Sequence, residues 1–508
     1  MDLKPSLWSG VVAICLWCSF KVALRWRKAV VAVGNHSGFR TLFSQNSIVS
    51  SVLPRIKGIA IGSRGFNRKY RAYQGFGWDV ITNISMFPAG KEITVSVADA
   101  TVAKEILTSR TRFPKPLEMY GVLSFFGPNI VVSEGDNWRR YRKLTSPSFS
   151  DENNRLVWNE SIKIVMDLFE NVWGQQDAIH LDHPLDITFP TALYVISVAG
   201  FGRRISWADD QVVPPGHQLT FKDALDTVSH NTFVKLVLPD LLLRTTQRFR
   251  KAKLAFDEIE KYMVEMIENR KAGRDNGEGQ YDLFTSLVDA GDTEKNLEVS
   301  LTDTEVMGNV FIFLLAGHET TAQTLCFSLL LLALYKDEQE LLYEEVKSVY
   351  ADGKTPTYNK MPQLARTMAV LYEALRMFPP SLSIPKYCAE DTTLVTENTS
   401  GERKVIHVPN GSAIFIDVLG MHYNPRYWKD PEEFKPSRFL GNWPRDAFLP
   451  FSLGGRSCLG RKFFETEAVA ILSMLVSRYR VELKDDAEAF SPDKKARVLA
   501  TKQVLTLS

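Results

Sequence analysis

Phe451-Ser-Leu-Gly454-Gly-Arg456-Ser-Cys458-Leu-Gly460 is the most specific segment of this 508-residue chain. A cysteine that binds iron must be a thiolate, and nearby backbone N–H groups and a helix N-terminus favour that form. Gly454 and Gly460 allow the tight turn that points amides at the sulfur. Arg456 supplies a cation for the propionates of a porphyrin. The segment therefore has the features that a thiolate ligand to iron requires of its surroundings.

The residues around this segment support the same interpretation. Phe451 can shield the sulfur from water and so tune the potential of the iron. Apolar residues recur with helical spacing from Arg461 to Tyr479, which places Cys458 just before a helix. A buried free cysteine is the usual alternative for a lone cysteine. Five specified positions in ten residues arise by chance at a rate on the order of 10⁻⁷ per start position, so we set that alternative aside.

The segment resembles the haem-binding signature F-x-x-G-x-R-x-C-x-G of the cytochrome P450 family. The resemblance implies that Cys458 is the proximal iron ligand and that Arg456 contacts a propionate. It places Phe451, Gly454 and Gly460 in the same haem-binding loop. In this family the thiolate pushes electron density onto the iron and favours O–O cleavage. The implied reaction inserts one oxygen atom from dioxygen into a lipophilic small molecule.

Glu373-Ala-Leu-Arg376 stands on a predicted helix that ends before Pro379. The i, i+3 spacing lets the two charges meet, although an exposed ion pair would give the same pattern. Phe434-Lys-Pro436-Ser-Arg438-Phe439 follows later in the chain. This order resembles the family's E-x-x-R and P-x-R-F motifs, which implies that Arg376 and Arg438 share a buried Glu373. Ser437 stands where the family often has an acidic residue.

Ala316-Gly317-His318-Glu319-Thr320-Thr321 lies within the longest apolar helix that the sequence predicts, and Thr302-x-x-Glu305 predicts a capping box at its start. Gly317 costs about 1 kcal/mol relative to alanine, and space for a ligand is one candidate compensation. The Thr320 hydroxyl can turn to the carbonyl of Ala316 and open a groove. The pattern resembles the family's A-G-x-[ED]-T, which assigns Thr320 and Glu319 to oxygen activation and proton relay. His318 is expected to be merely packed or solvated.

Trp138-Arg-Arg-Tyr-Arg142 resembles the family's W-x-x-x-R, which implies that Trp138 and Arg142 contact a haem propionate. Their i, i+4 spacing puts them on one helix face. The remaining basic residues of this helix could join two from the helix after Cys458 in a basic patch for an acidic reductase; ordinary solvated charges are the alternative. The residues of this predicted basic patch are Arg139, Arg140, Lys143, Arg461 and Lys462.

The N-terminus predicts a membrane anchor. Residues 7–24 are largely apolar and are interrupted by Lys21. This is about the length that spans a bilayer when that lysine reaches the headgroups, and tryptophans suit the interfaces. Arg25, Arg27 and Lys28 follow, which predicts a cytoplasmic location for the rest of the chain. An amphipathic segment lying in the interface is the alternative. We expect an anchor with its basic flank over residues 1–28 and attachment to the endoplasmic reticulum membrane.

The rest of the chain predicts one large domain, residues 29–508, that is mainly α-helical with small β-sheets, the P450 fold. Helical periodicity covers Leu254–Ile267, Val306–Leu334 and Leu364–Met377. Glu397–Arg403 predicts a turn between two short strands, and Ile414–Val418 a further strand. Residues 272–280 predict a mobile loop.

Composition narrows the function. The formal net charge is +2, so nothing favours nucleic-acid binding, and the 45% apolar content is ordinary for a folded protein. The five irregularly spaced cysteines do not form a disulfide framework. The resemblance implies haem b and NADPH-derived electrons from a separate NADPH-cytochrome P450 reductase. Too few residues follow Cys458 for a fused flavin domain.

Three segments are expected to contact substrate by analogy with the family: Leu117–Ile130, Phe311–Thr320 and Ser381–Ile384. Their apolar side chains predict a substrate with few charged groups, and a terpenoid or other secondary metabolite is favoured. Fatty-acid or xenobiotic hydroxylation stays open. An isomerase or dehydratase that does not use dioxygen is a further alternative, although such a site would not need Thr320. A non-catalytic haem protein on the membrane is the third.

Overall fold

The structure is a computed structural model. It describes residues 4–45, 47–62, 66–88, 90, 92–203, 205–207, 212–237, 246–272, 284, 287, 301–351, 355–398, 400–483 and 505–507. The predicted loop at 272–280 lies outside the described residues apart from Ala272.

Helices dominate the described chain and sheets are small, so the predicted fold class is confirmed. The helices are α1 Lys4–Ala32, α2 Ile48–Val52, α3 Arg71–Gln74, α4 Ala100–Thr108, α5 Gly135–Thr145, α6 Asp151–Asp167, α7 Leu185–Phe201, α8 Phe221–Val237, α9 Gln247–Lys271, α10 Asp303–Leu334, α11 Lys336–Val349, α12 Ala365–Met377, α13 Val418–His422 and α14 Arg461–Arg478. The three helical segments predicted from periodicity lie within or within one residue of α9, α10 and α12.

The strands of the described residues form three sheets. They are β1 Arg40–Phe43, β2 Val80–Phe87, β3 Ile93–Val97, β4 Ile179–Leu181, β5 Ser383–Tyr387, β6 Thr392–Glu397, β7 Arg403–Val408, β8 Ala413–Asp417, β9 Val481–Leu483 and β10 Leu505–Leu507. The largest sheet has the order β1-β2-β3-β8-β5, the second has β4-β10-β9, and β6 pairs with β7. The predicted turn is confirmed, because Glu397 and Arg403 are partners at the end of the β6–β7 hairpin. The strand predicted to end at Val418 ends at Asp417, whose carboxylate accepts from Gly420 N at 2.7 Å and caps α13.

The chain divides into two compact units. The first unit comprises Met1–Pro116, Ser381–Glu433 and Trp443–Cys458, and it holds the five-stranded sheet and the hairpin. The second unit comprises Leu117–Pro380, Phe434–Asn442 and Leu459–Ser508, and it holds most of the helices.

Helix α10 forms the core of the second unit. The predicted capping box is confirmed: Glu305 N donates to the Thr302 hydroxyl at 3.3 Å, and Thr302 N donates to the Glu305 carboxylate at 2.9 Å. Leu325 and Leu329 are fully buried further along the helix. The Asn309 side chain, also fully buried, accepts from Ile130 N at 2.9 Å and ties the helix to the segment after Leu117.

Helix α1 combines an exposed apolar stretch with a packed end. Ser9–Ala32 is long and apolar enough to cross a membrane; α10 passes the same test but is more than half buried. Ile14 and Leu16 are each more than half exposed. Ala29 and Val33, by contrast, are buried against Ile84 of β2. The helix therefore continues through the basic residues into the core of the first unit.

Candidate active site

The cysteine segment forms an ordered loop directly before α14. Cys458 N donates to Phe451 O at 2.9 Å, and Ser457 N donates to Gly454 O at 3.1 Å across a 3₁₀ turn over Gly454–Arg456. The Cys458 side chain is exposed. The predicted position of the cysteine just before a helix is confirmed, since α14 begins at Arg461.

The two glycines of the segment, Gly454 and Gly460, differ in backbone conformation. Gly454 has φ +70°, and a Cβ there would lie 2.8 Å from the carbonyl oxygen of Leu107, so only glycine fits. Gly460 has φ −79° and is the N-cap residue of α14. Its φ is one that other residues also adopt, so a left-handed turn that favours glycine is found at Gly454 and not at Gly460.

Helix α10 exposes a short stripe in the middle of an otherwise buried length. Ala316, Glu319 and Thr320 are exposed and share one face by their i, i+3, i+4 spacing. The Thr320 hydroxyl donates to the carbonyl of Ala316 at 2.9 Å, as the sequence predicted. The Thr320 hydroxyl and the Glu319 carboxylate are therefore neighbours on an exposed face of α10.

Gly317 packs against another helix, whereas the sequence suggested space for a ligand at this position. A Cβ at Gly317 would come within 3.1 Å of the Ile196 side chain on α7. Close packing of two helices therefore accounts for this glycine, and space for a ligand against its backbone is not needed. The error arose because the helical period shows which residues are buried but does not show which helix covers them.

His318 is packed, as predicted. It is fully buried, its Nδ1 lies 2.6 Å from Leu314 O, and its ring meets Phe189 edge-on at 4.8 Å. Burial lowers the pKa of His318 to about 4, so the ring is neutral at pH 7.

The predicted sharing of Glu373 by two arginines is confirmed. Arg376 donates to both carboxylate oxygens at 2.7 and 2.9 Å, and Arg438 donates to Oε1 at 3.1 Å. Lys435 N donates to the same oxygen at 3.0 Å, a contact that the sequence did not indicate. Glu373 and Arg376 are fully buried, which excludes the exposed surface pair. The cluster fixes the Pro436–Phe439 turn to α12 within the second unit.

Helix α5 carries Trp138 and Arg142, and the Trp138 side chain is buried. Its Arg140 forms an ion pair with Glu305, and the Tyr141 hydroxyl donates to the same carboxylate at 2.6 Å. Burial alone would raise the pKa of Glu305, but these contacts, the Thr302 hydrogen bonds and the charge of Arg140 lower it overall. Helix α5 is thereby fastened to the start of α10.

The predicted basic patch is weaker than the sequence suggested. Besides Arg140, Arg139 pairs with Asp136 at 2.5 Å. Arg461 donates to Glu465 at 2.8 Å and to the Tyr372 hydroxyl at 3.0 Å. Lys462 also lies 3.9 Å from Glu465. Four of the five cations thus have an acidic partner in their own unit, and only the partner of Arg140 is distant in sequence.

Two of the expected substrate-contact segments lie in the second unit and partly belong to the core. Phe311 and Leu314 are fully buried, and Phe311 packs edge-on against Phe126 at 4.7 Å. These residues are wrong as substrate contacts, since the exposed face of α10 is the Ala316, Glu319 and Thr320 side. The third segment, Ser381–Ile384, leads into β5 of the first unit and is partly exposed.

Comparison with known proteins decides the family. A family model for cytochrome P450 matches residues 80–507. Cytochrome P450 monooxygenase 124 of Postia placenta is 49% identical over 496 residues, 96% of this chain and 95% of the relative. Cytochrome P450 monooxygenase ORF6 of Penicillium roqueforti is 31% identical, over 89% of this chain and 83% of the relative. A phomenoic acid biosynthesis cluster cytochrome P450 monooxygenase of Leptosphaeria maculans is 26% identical over 76% and 73%.

The chain belongs to the cytochrome P450 family.

Its fungal relatives make it a P450 monooxygenase of fungal type, and the family binds haem through a thiolate and receives electrons from a reductase. The residues present fit a haem-thiolate group on two observations. Cys458 is exposed at the end of a loop that is held by the hydrogen bond from Cys458 N to Phe451 O. Helix α10 offers the exposed Thr320 face that oxygen activation needs.

Glu467 of this P450 was not among the site residues predicted from the sequence. A carboxylate within an apolar helix could have indicated it, because such a group is costly to bury. Glu467 is fully buried on α14, and neither carboxyl oxygen has a hydrogen-bond partner among the described residues. The neighbouring Thr321 hydroxyl is committed to Gly317 O at 3.1 Å. Burial therefore raises the pKa of Glu467 well above its usual range, and Thr321 offsets little of that rise. Burial thus favours the protonated form of Glu467, which lies beside the segment that carries Thr320.

We expect Glu467→Gln to stabilise the protein at alkaline pH. The raised pKa means that the unfolded chain loses this proton at lower pH than the folded one, so stability falls as the pH rises from the usual glutamate pKa toward the folded one. The wild type should lose up to about 1.4 kcal/mol per pH unit in that window relative to the variant. Unfolding midpoints at pH 4, 6 and 8 measure this difference. Glu344→Gln, at an exposed site of α11, is the control, and parallel pH profiles for wild type and Glu467→Gln would contradict the expectation.

Proposed function

We propose that this P450 monooxygenase binds haem b through the thiolate of Cys458 and oxidises a lipophilic small molecule. The ordered loop that ends at the exposed Cys458 is the observation that carries the proposal. Arg456 would pair with a haem propionate from this loop, and Phe451 and Gly454 would shield the sulfur and keep the turn tight. The remaining haem-binding residues would be Trp138, Arg142 and Gly460.

The haem group, when bound, supplies the site at which dioxygen is reduced and cleaved. In the proposed mechanism Thr320 and Glu319 deliver the protons for that cleavage. The Thr320 hydroxyl holds its proton toward Ala316 O and can accept another from water through its free lone pair. The exposed Glu319 carboxylate can exchange protons with solvent next to it.

Electrons would come from NADPH through a separate NADPH-cytochrome P450 reductase. Lys143 carries positive charge in the last turn of α5 and Lys462 in the first turn of α14, which suits an acidic partner. Residues 1–28 would anchor the protein in the endoplasmic reticulum membrane, with the catalytic domain, residues 29–508, in the cytoplasm. The exposed apolar length of α1 and the basic residues after it support that arrangement.

The substrate class is the open part of the function. We propose a terpenoid or another secondary metabolite, which the apolar side chains of the expected contact segments favour. One relative is named for a phomenoic acid biosynthesis cluster, which supports a role in secondary metabolism.

Replacing Thr320 by alanine tests the proposed chemistry. Without the hydroxyl, proton delivery should fail, so product per NADPH consumed should fall by about 10²-fold, the lower end of what positioned proton transfer contributes. Product formed by the reconstituted enzyme under oxygen-18 gas measures both the yield and the source of oxygen.

The control for this experiment is Thr324→Ala. The Thr324 hydroxyl donates to the carbonyl four residues before it, Thr320 O, at 2.8 Å, as the Thr320 hydroxyl does to Ala316 O, but Thr324 is buried. Thr320→Ser, which keeps the hydroxyl, should retain coupling. Product that carries no oxygen-18 in the wild type would favour an isomerase or dehydratase and overturn the proposal.

A further inference from the structure

A small cavity in the first unit has one polar side and one apolar side. Its volume is about 230 Å³. The polar wall includes Gln45, Arg68 and Asp417, and the apolar wall includes Leu382 and Phe415. Pockets that enclose a whole small-molecule ligand are usually about 300 Å³ or larger, so this cavity is the size of a subsite for one end of a ligand.

Arg68 gives the cavity its charge. Its Nη2 donates to the carbonyl oxygens of Ile61 and Gly62, which fixes the guanidinium. No ion pair joins Arg68 to a carboxylate within the described part of the chain, and its other N–H groups make no hydrogen bond there. Burial, first, and the nearby charge of Arg55 lower the pKa of Arg68, and Asp417 partly opposes them. A half-buried cation that lacks a contacting anion favours an anionic ligand.

Most of the other polar groups around the cavity are already engaged. Asp417 accepts from the Tyr73 hydroxyl at 3.0 Å and from Gly420 N, and Lys69 pairs with Glu432. Gln45 differs, because its amide nitrogen is buried and has no hydrogen-bond partner among the described residues. Arg68 and Gln45 together therefore offer donors for a single acceptor group.

The charge nearby selects the kind of anion. The carboxylate of Asp417 lines the same cavity, so it opposes any anion there and opposes a dianion about twice as strongly as a monoanion. A carboxylate brings one charge and two acceptor oxygens, which match the guanidinium and the amide. A phosphate at pH 7 brings a charge of about −1.5 to −2 and fits less well.

The apolar wall leads toward the expected substrate contacts. Leu382 belongs to the predicted contact segment Ser381–Ile384, and its carbonyl accepts from Leu419 N at 3.3 Å, another lining residue. We propose that the substrate is a lipophilic carboxylic acid whose carboxylate is bound by Arg68 and Gln45 and whose apolar part continues along Leu382. This inference rests on the proposed function and narrows its substrate class. It also predicts oxidation at a carbon remote from the carboxylate.

Spectral titration of the haem-loaded protein tests the inference without any substitution. Dodecanoic acid and its methyl ester share an apolar chain and differ in charge, and each displaces iron-bound water if it enters the site. At pH 8 the acid should bind about tenfold tighter or more, the contribution expected of hydrogen bonds to a charged group. Equal affinity for acid and ester would overturn the inference.

Arg68→Gln identifies the residue responsible. It should weaken acid binding about tenfold and leave ester binding unchanged, while Arg71→Gln, which removes the same charge from an exposed position three residues on, should change neither. An equal loss for acid and ester would make Arg68 merely structural and count against the proposal. Competition of the acid by vesicles containing phosphatidylglycerol, but not by phosphatidylcholine alone, would assign the subsite to a lipid headgroup and also overturn it. Failure of the proposed function is distinct, because the reduced, carbon monoxide-bound wild type would then lack a thiolate spectrum.

Discussion

Replacing Cys458 by alanine should abolish the red-shifted Soret band of the dithionite-reduced, carbon monoxide-bound protein and reduce monooxygenase activity to background. The substitution removes the sulfur but not the Cys458 N to Phe451 O hydrogen bond, because that bond belongs to the backbone. The loop should therefore keep its conformation while the iron loses its proposed protein ligand. Absorption spectra of protein purified with added haem measure the result.

Cys18→Ala is the matched control, since Cys18 is also exposed but lies in the N-terminal helix. It should leave the spectrum unchanged. A wild-type spectrum typical of histidine-bound haem in freshly folded protein, or a red-shifted band that persists in Cys458→Ala, would refute the ligand assignment.

Glu373→Ala should cost the second unit about 3–5 kcal/mol, the loss expected when one member of a buried ion cluster is removed. The substitution leaves the fully buried Arg376 and the nearly buried Arg438 without their shared anion, and it also removes the acceptor of Lys435 N. The Pro436–Phe439 turn should then detach from α12. The urea midpoint and the yield of folded, haem-loaded protein measure the loss.

Glu338→Ala provides a comparison within the same unit. Glu338 also pairs with an arginine, Arg366, at 3.3 Å, but about a fifth of each side chain is exposed. Removing such a pair should cost about 1 kcal/mol or less. If both substitutions lower stability equally, burial is not what makes the Glu373 cluster important.

The sequence predicted the local features of the site well. Cys458 before a helix, the Thr320 bond to Ala316 and the Thr302–Glu305 box depend on residues within a few positions of one another, so spacing is enough to predict them. The sharing of Glu373 spans 65 residues, and it was predicted because a family resemblance supplied the partner.

What the sequence did not predict depends on tertiary neighbours. Space for a ligand is one candidate explanation of Gly317 from the sequence, because nothing near it in the chain indicates Ile196. Arg140 was assigned to a docking patch because Glu305 is 165 residues away. Phe311 had the composition of a pocket wall, but Phe126 covers it. Periodicity shows that a residue is buried, whereas the identity of its neighbour requires the fold.

The continuous course of α1 has a mechanical consequence. One helical rod, α1, runs from the apolar stretch through Arg25 and Lys28 to Ala29. Ala29, and Val33 directly after the helix, pack on Ile84 without an intervening flexible tether. A change in the tilt of this rod is therefore transmitted to β2 instead of being absorbed by a hinge. When this helix lies in a bilayer, its unbroken connection to the first unit fixes how that unit is oriented toward the lipid surface. Truncation after Lys28 would leave only the Ala29 and Val33 contacts to hold the new N-terminus in place.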